Sequence, residues 1–222
     1  MDTLDVANRL PRIGEAAPDF EANSTQGPIK LSQFRGKWVM LFSHPADFTP
    51  VCTTEIAAFA RRNDEFVKRG VQLIGLSVDG VPSHIAWTRD IANIAGQPVP
   101  FPIIADLDMK VSNLFGMLHP GESNTATVRS VFFIDDKGIT RALIYYPLST
   151  GRNVDELLRV FDSLQTTSRH SVSTPVDWLP GQPVVVPAPA TAEAVLDREQ
   201  AEAQGLTFRT WYLRMKQVDS GK

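Results

Sequence analysis

Segments with strand periodicity alternate with segments of helical periodicity through the first 170 residues, and this alternation restricts the fold more than any other feature. Trp38–Ser43 and Val71–Val78 are short apolar runs typical of buried strands, and Thr53–Arg69 lies between them with apolar residues at helical spacing. Two strands joined through a helix pair in parallel. The sequence therefore predicts an α/β sheet that is covered by helices on both faces.

The remaining elements of this region follow the same periodicities. A turn sequence, Asp-Asp-Lys-Gly, separates two apolar runs and predicts a hairpin, while apolar residues three and four positions apart predict helices. Ile85, Ile91 and Ile94 are expected on the buried side of the second long helix. The predicted elements are a helix over Ser83–Ala95 capped by Ser83, a short helix over Asp106–Phe115, a hairpin of Val131–Ile134 and Ile139–Tyr146, and a helix over Asn153–Leu164.

The composition changes after residue 170. Prolines are dense between Thr174 and Pro189, where they disfavour a central strand or a helix. Thr191–Gln204 then has the charge pattern of a surface helix, and Thr207–Met215 is a short basic and aromatic tail. We expect a main domain over 1–170 and a small unit over 171–222, which has too few apolar residues for a core of its own and packs on the main domain or on a second subunit.

Composition excludes several classes of function. The net charge of −3 gives no electrostatic reason to expect nucleic acid or an anionic membrane as a partner. One cysteine excludes an intrachain disulfide and a cysteine-rich zinc site, and the four scattered histidines form no recognisable metal cluster in the sequence. The N-terminus lacks the apolar core of a secretory signal, and the longest apolar run, Trp38–Phe42, is too short to span a bilayer. These features favour a cytoplasmic location.

The single cysteine lies at a position in the predicted fold that favours a negative charge on its sulfur. Cys52 follows the first predicted strand and falls in the first turn of the next helix, where free backbone N–H groups and the helix dipole favour an anion. Thr49 is three residues earlier, close enough to bring its hydroxyl to the same place, and Pro45 and Pro50 stiffen the approach. A lone cysteine is more often a small buried apolar residue. This position and spacing instead favour a reactive thiolate.

The same residues carry a family resemblance. Pro45-x-x-x-Thr49-x-x-Cys52 resembles the active-site motif of the peroxiredoxins, and the string from His44 to Glu55 resembles their one-cysteine peroxiredoxin-6 subfamily. The likeness extends over about residues 13 to 215, with separate motifs in the family's order. Those further motifs are Ala17–Phe20, Thr127–Asp135, Tyr146–Asn153 and Thr174–Trp178.

The resemblance implies a fold and a reaction. The fold is thioredoxin-like, with a central mixed β-sheet flanked by helices and a small C-terminal extension that contacts a dimer partner. The reaction is the reduction of hydrogen peroxide and organic hydroperoxides, in antioxidant defence, with no metal or cofactor. Cys52 is then the peroxidatic cysteine, which attacks the peroxide and becomes a sulfenic acid.

The resemblance also implies roles for the neighbours of Cys52. Thr49 hydrogen-bonds the peroxide and the thiolate, and Arg129 holds the thiolate and stabilises charge as the O–O bond breaks. Pro45 shields the sulfur from water. His44 and Arg152 are supporting residues.

Without a second cysteine, the sulfenic acid must be reduced by an external thiol, for which glutathione, another small thiol and a redox protein remain open. Relatives form homodimers, and some form ring-shaped decamers; the Trp178 and Trp211 regions are candidate interfaces.

One alternative is a thioredoxin-fold redox sensor or chaperone with slow turnover, which needs the same thiolate. A cysteine hydrolase is disfavoured, because no histidine is placed by the sequence as a base beside Cys52.

Overall fold

The computed structural model describes residues 10–219, so most of the N-terminal segment considered above as a targeting signal lies outside the described residues. The chain forms two compact units, one up to Val154 and one from Asp155 onward. Among the described residues, none of the helices combines the length and the apolar character that are needed to cross a bilayer.

A seven-stranded mixed sheet organises the first unit, with the strand order β2-β1-β5-β4-β3-β6-β7. The three strands β5, β4 and β3 are parallel, and the remaining pairs are antiparallel. The strands are β1 (Glu21–Ser24), β2 (Gly27–Lys30), β3 (Trp38–Ser43), β4 (Val71–Ser77), β5 (Ile103–Ala105), β6 (Arg129–Ile134) and β7 (Thr140–Tyr146).

The predicted strand–helix–strand arrangement is confirmed. β3 and β4 pair in parallel from Trp38 opposite Val71 to Ser43 opposite Leu76. The predicted hairpin is present as β6 and β7, although β6 begins at Arg129, two residues before the predicted start. The mixed α/β fold inferred from the sequence is therefore the fold observed.

Three helices connect these strands. They are α1 (Pro50–Val67), α2 (Val81–Ala95) and α3 (Lys110–Leu114), and a short 3-10 helix covers Leu31–Phe34. α1 begins earlier than predicted because Pro50 occupies its first turn, where a missing N–H costs nothing.

Two expectations about α2 are wrong. Its N-cap is Gly80 rather than Ser83, since the helix starts at Val81. Its buried side consists of His84, Trp87 and Ile91, whereas Ile85 and Ile94 are 39% and 59% exposed. Spacings of three and four residues link the buried set, but one member is a histidine, which an apolar pattern does not reveal.

The short strands β1, β2 and β5 were not predicted. Each has three or four residues, and β1 and β2 expose most of theirs, so no clear period-two pattern exists. Around the sheet, buried apolar side chains from strands, loops and α3 form a continuous core. Its members include Phe20, Leu31, Val39, Leu41, Ile74, Leu76, Ile104, Val111, Phe115, Phe132 and Ile134.

The second unit contains all but the first residue of α4 (Val154–His170), α5 (Arg198–Ala203) and a small antiparallel sheet in the order β8-β10-β9. Its core is a cluster of Val172, Trp178 and Val184, and the Trp178 Nε1–H donates to the Gln182 carbonyl at 3.0 Å. The expectation of no separate core in this region is thus too strong. The strands are β8 (Val184–Val185), β9 (Thr207–Phe208) and β10 (Arg214–Lys216).

The predicted surface helix over Thr191–Gln204 is only partly formed. A 3-10 turn covers Ala192–Ala194, and α5 begins separately at Arg198. Its N-cap is Asp197, whose side chain accepts a hydrogen bond from the backbone N–H of Gln200. The Asp197 backbone N–H in turn donates to Gln200 Oε1 at 3.1 Å, which completes a capping box. An internal cap of this kind begins a helix, so the predicted segment is divided in two.

Candidate active site

Cys52 is the third residue of α1, which places it in the helix's first turn. Thr49 is the N-cap with extended backbone, and the first helical hydrogen bond runs from the Thr53 amide to the Thr49 carbonyl at 2.9 Å. The amides of Val51 and Cys52 therefore precede the helical ladder and are available to an anion. The Cys52 side chain is buried, so its sulfur is sheltered from bulk water.

Arg129, the first residue of β6, brings a cation to this sulfur. Its Nη1 lies 3.2 Å from the Cys52 Sγ. Its Nε and Nη2 both donate to the Leu148 carbonyl, at 3.0 and 2.7 Å, which fixes the plane of the guanidinium. Strand β6 thus supplies the cation of the site, and helix α1 supplies the sulfur.

Glu55, which sequence reasoning did not single out, joins the arginines to α1. It lies three residues after Cys52 and therefore on the same side of the helix. Its Oε2 accepts from Arg129 Nη1 at 2.9 Å, and its Oε1 accepts from the Arg152 backbone N–H at 2.8 Å. The helical spacing between Cys52 and an acidic residue was the signal that could have identified it.

Arg152 is the second buried cation of the site. Its Nε lies 3.4 Å from Glu55 Oε1, its Nη2 donates to the Ser43 carbonyl, and its guanidinium lies 5.3 Å from the centre of the Phe42 ring. Burial lowers the pKa of Arg152 to about 10, so the side chain remains charged at neutral pH.

These contacts set the charge of the cluster. Arg129 and Arg152 contribute two positive charges and Glu55 contributes one negative charge, so the buried group carries +1 when Cys52 is a thiol. This positive charge lies against the Cys52 Sγ, and the reactive cysteines of enzymes lie in electropositive surroundings of this kind.

Thr49 and Pro45 line the approach to α1. The Thr49 hydroxyl donates to the Ala46 carbonyl at 2.8 Å, so its oxygen keeps lone pairs that can accept another hydrogen bond. Thr49 is half-buried, whereas Pro45 is buried. Between them, Phe48 adopts φ 55° and is 56% exposed, which is an unusual backbone conformation for a large side chain.

His44 belongs to a second buried cluster rather than to the arginine cluster. Its Nε2 lies 3.0 Å from Asp47 Oδ1, and His84 Nδ1 lies 2.8 Å from Asp47 Oδ2. Sequence reasoning gave His84 and Asp47 no role, and it described the histidines as scattered. In the structure His44, Asp47 and His84 form a group that could hold a metal ion by the spacing of their ligand atoms, which corrects that description.

The structure thus brings Cys52, Arg129 and Arg152 together around Glu55, with Thr49 at the helix N-cap. Comparison with known proteins identifies the family of the chain. The model of the AhpC/TSA family matches residues 13–143, and the model of the C-terminal domain of 1-Cys peroxiredoxin matches residues 163–201. Peroxiredoxin 2 of Caldanaerobacter subterraneus subsp. tengcongensis is 54% identical over 209 residues, which cover 94% of each chain. The chain belongs to the peroxiredoxin family.

Further peroxiredoxins resemble the chain over nearly its whole length. The peroxiredoxin of Aquifex aeolicus is 54% identical over 220 residues, which cover 94% of this chain and 98% of that one. A solved structure of yeast mitochondrial 1-Cys peroxiredoxin, concerned with its thiol resolving mechanism via glutathione/thioredoxin systems, matches with a TM-score of 0.83 and 42% identity, covering 94% of this chain and 100% of the other. A mutant of peroxiredoxin 6 of Arenicola marina matches with a TM-score of 0.83 and 38% identity, covering 93% and 97%.

Family membership and the single cysteine define the activity. This peroxiredoxin is a thiol-dependent peroxidase of the 1-Cys type, an oxidoreductase that reduces peroxides and is recycled by an external thiol. Its fold is the thioredoxin-like fold of the family, with a C-terminal extension.

Proposed function

We propose that Cys52 is the peroxidatic residue of this enzyme. Its thiolate attacks the terminal oxygen of the peroxide, the S–O bond forms as the O–O bond breaks, and the departing oxygen leaves as water or an alcohol once it has taken a proton. The sulfur is oxidised by two electrons to a sulfenic acid, and the peroxide is reduced by two. The distance of 3.2 Å between Arg129 Nη1 and Cys52 Sγ is the observation that carries this proposal.

Arg129 and Thr49 supply complementary hydrogen bonds to the peroxide. The guanidinium donates to the sulfur and to the oxygen on which negative charge develops, and it is already oriented by the Leu148 carbonyl. The Thr49 oxygen accepts the peroxide hydroxyl, because its own hydrogen is directed to Ala46. Pro45, buried in the same loop, keeps water from the sulfur.

Arg152 and His44 have supporting roles in the proposal. Arg152 adds the second positive charge and anchors Glu55, which in turn fixes Arg129. His44 fixes the loop between β3 and α1, since its amide donates to the Leu76 carbonyl and its own carbonyl accepts from the Thr127 hydroxyl.

We propose further that glutathione or a thioredoxin-type redox protein restores the thiol, as the similarity to the yeast mitochondrial enzyme suggests. One thiolate attacks the sulfenic sulfur, an S–S bond forms as the S–O bond breaks, and the departing hydroxide takes a proton to become water. The thiolate of a second thiol then attacks the mixed disulfide and releases the Cys52 thiolate. The proposed setting is the cytoplasm. The proposed organisation is a peroxidase domain over 1–170 and a dimer-contacting extension over 171–222, in a homodimer or a ring-shaped decamer.

The test is a single-turnover oxidation followed by recovery. The protein receives less than one equivalent of hydrogen peroxide for about a second, a time in which an ordinary exposed thiol does not react, and its intact mass is then measured. We expect loss of the thiol with the gain of one oxygen, and no gain in Cys52→Ser. An unchanged thiol after minutes contradicts the proposal. Added glutathione or thioredoxin then distinguishes a peroxidase, which turns over repeatedly, from a sensor, which stays oxidised.

A further inference from the structure

The backbone of Leu148 joins the active-site arginine to Glu122, an exposed residue that the proposed reaction does not use. The Leu148 carbonyl oxygen accepts from Arg129 Nε and Nη2 at 3.0 and 2.7 Å. The Leu148 N–H donates to Glu122 Oε2 at 3.1 Å. Whatever holds Leu148 in place therefore also determines where the guanidinium of Arg129 is held.

Leu148 is the second residue of a tight turn, in which the Thr150 N–H donates to the Pro147 carbonyl at 3.2 Å. This hydrogen bond uses neither the N–H nor the carbonyl of Leu148. The carbonyl of the second residue belongs to the central peptide of a turn, and that peptide points to different sides in type I and type II turns. The turn's own hydrogen bond therefore leaves the acceptor for Arg129 unfixed, and contacts outside the turn must hold it.

The β6–β7 hairpin ends where this turn begins. Arg129 opposite Tyr146 is the last pair of its register, and Pro147 follows directly. On the other strand, Arg129 is preceded by the α3–β6 loop (residues 115–128), which is closed at its base by a hydrogen bond of 2.9 Å from the Val128 N–H to the Met117 carbonyl. The hydrogen bond between Glu122 and Leu148 thus joins the segment that enters β6 to the segment that leaves β7.

Glu122 occupies an ordered position in the α3–β6 loop. Its N–H and that of Ser123 both donate to the His119 carbonyl, at 2.8 and 3.0 Å. The His119 ring stacks on the ring of Tyr145 in β7, with the ring centres 5.3 Å apart, and the Tyr145 hydroxyl donates to the Phe115 carbonyl at 3.3 Å. The loop is therefore fixed against the end of β7, so the Glu122 carboxylate starts from a defined place.

We propose that Glu122 is a positioning residue that acts on Arg129 through the backbone of Leu148. Its carboxylate anchors the turn, and the anchored carbonyl keeps the guanidinium in the plane that brings Nη1 to the Cys52 sulfur. This inference rests on the proposed function, in which Arg129 stabilises the charge that develops as the O–O bond breaks. A donor that is already oriented needs no rearrangement in the transition state, and for this reason the anchor accelerates the reaction.

The negative charge of Glu122 is a second route by which it would affect Arg129. The structure favours the anchor, because Arg129 is already paired with the buried Glu55 at 2.9 Å. Glu122 is exposed, and water and salt screen the charge of an exposed carboxylate. The hydrogen bond from Leu148 requires only an acceptor oxygen, so glutamine at position 122 distinguishes the two routes.

The first test is the rate of Cys52 oxidation by hydrogen peroxide, measured by stopped-flow tryptophan fluorescence. We expect Glu122→Ala to lower it about 3- to 10-fold, which is the loss of one hydrogen bond expressed as a rate. Glu122→Gln keeps an acceptor oxygen and should stay within about twofold of the wild type. Glu21→Ala removes an exposed glutamate of β1, and this matched control should keep the wild-type rate. A loss in Glu122→Gln as large as that in Glu122→Ala would assign the effect to charge and overturn the proposal.

A double-mutant cycle tests whether Glu122 acts through Arg129. In the Arg129→Ala background the guanidinium is absent, so Glu122→Ala should change the remaining oxidation rate less than about twofold. A general disturbance of the site would slow both backgrounds by the same factor. Equal factors in the wild-type and Arg129→Ala backgrounds would therefore contradict the positioning role.

Hydrogen exchange gives a readout that does not depend on peroxide. The amides of residues 148–150, followed by mass spectrometry, should exchange faster in Glu122→Ala than in the wild type and in Glu122→Gln, because the turn loses its anchor. Unchanged exchange in Glu122→Ala would overturn the proposal. Circular dichroism checks folding, and Glu122→Ser, whose side chain is too short to reach Leu148, provides the decision if Glu122→Ala does not fold.

The outcomes separate this inference from the proposed function. If wild-type Cys52 does not react with peroxide, or if Arg129→Ala reacts at the wild-type rate, the proposed function fails, while the exchange measurement still reports on the anchor. If Arg129→Ala is slow and the folded Glu122→Ala keeps the wild-type rate, the proposed function stands and the positioning role of Glu122 fails.

Discussion

At the scale of single residues, the motif around the cysteine predicted part of the site and not the rest. Cys52 and Arg129 were singled out, and the structure places their side chains in contact. Glu55, Asp47 and His84 were not, because a buried ion pair or hydrogen bond between distant segments leaves no periodic signal in the sequence. Each of these three residues acts on a partner from another element, which only the folded chain brings near.

Loss of the Arg129 guanidinium should slow the reaction strongly, because this group donates directly to the Cys52 sulfur. Arg129→Ala removes the donor at 3.2 Å from Cys52 Sγ and removes the net positive charge of the buried cluster. We expect the rate of Cys52 oxidation by hydrogen peroxide to fall about 100-fold or more. Stopped-flow tryptophan fluorescence measures this rate. Arg61→Ala, which removes an exposed arginine of α1, is the matched control and should retain the wild-type rate.

Glu55 should matter for stability because its partners are buried with it. Its side chain is 4% exposed, and it joins Arg129 and Arg152. Glu55→Ala leaves two buried cations without their carboxylate, and we expect the free energy of unfolding to fall by about 3–5 kcal/mol. Urea denaturation followed by circular dichroism measures the change.

Glu65 provides the comparison on the same helix. It also pairs with an arginine, Arg62, at 2.6 Å, but its side chain is 42% exposed. Water screens such a pair, so Glu65→Ala should cost about 0–1 kcal/mol. Equal losses in the two variants would show that burial does not govern the contribution of Glu55.

Acid should destabilise the protein through the buried histidine cluster. Burial lowers the pKa of His44 below its ordinary value of 6.5, so below that pH the unfolded chain binds a proton that the folded chain does not. Asp47 acts in the same direction below its ordinary value of 3.8, since the hydrogen bonds from both histidines outweigh burial and hold its pKa lower. The free energy of unfolding should therefore decrease as the pH falls below 6.5.

Urea titrations at a series of pH values measure this dependence. His44→Gln should flatten the curve just below pH 6.5, and Asp47→Asn should flatten it below pH 3.8. His119→Gln serves as the control for removing an exposed histidine and should leave the slope unchanged. A wild-type slope in His44→Gln would assign the acid sensitivity to other groups.

At the scale of elements, long periodic segments were predictable and short or paired ones were not. The strands β3 and β4, the helix α1 and the β6–β7 hairpin follow from their own sequences, because each contains its own apolar pattern or turn. The three-residue strand β5 exists because β4 and β1 pair with it on either side, which its own residues do not specify. The buried face of α2 was mispredicted because His84 is held there by Asp47.

Gly75 in β4 links the packing of the sheet to the site. A Cβ atom at this position would lie 3.3 Å from Ile103 Cγ1 and 3.4 Å from the Phe42 ring, against which the Arg152 guanidinium packs. Gly75→Val should therefore lower the free energy of unfolding by about 1–3 kcal/mol, as overpacking does in other cores. Thermal unfolding measures this. Gly121→Ala adds a methyl group where nothing lies within 4 Å, so it should be neutral.

At the scale of the whole molecule, exposed aromatic rings of the second unit bear on assembly. Trp211 and Tyr212 are 51% and 54% exposed, with their ring centres 5.4 Å apart. Large aromatic side chains contribute much of the binding energy where two proteins meet. We therefore expect this pair to be covered in a homodimer, and sedimentation velocity at micromolar concentration should give a species of at least twice 24.5 kDa.

Substitution at the aromatic pair decides whether it holds that assembly together. Trp211→Ala should shift the sedimenting species toward 24.5 kDa, whereas Val67→Ala, which shortens an exposed aliphatic side chain at the end of α1, should not. The contrast depends on contact area, since a tryptophan buries far more surface than a valine when a partner covers it. A wild-type protein that sediments only at 24.5 kDa would rule out the dimer, and an unchanged oligomer in Trp211→Ala would place its interface elsewhere.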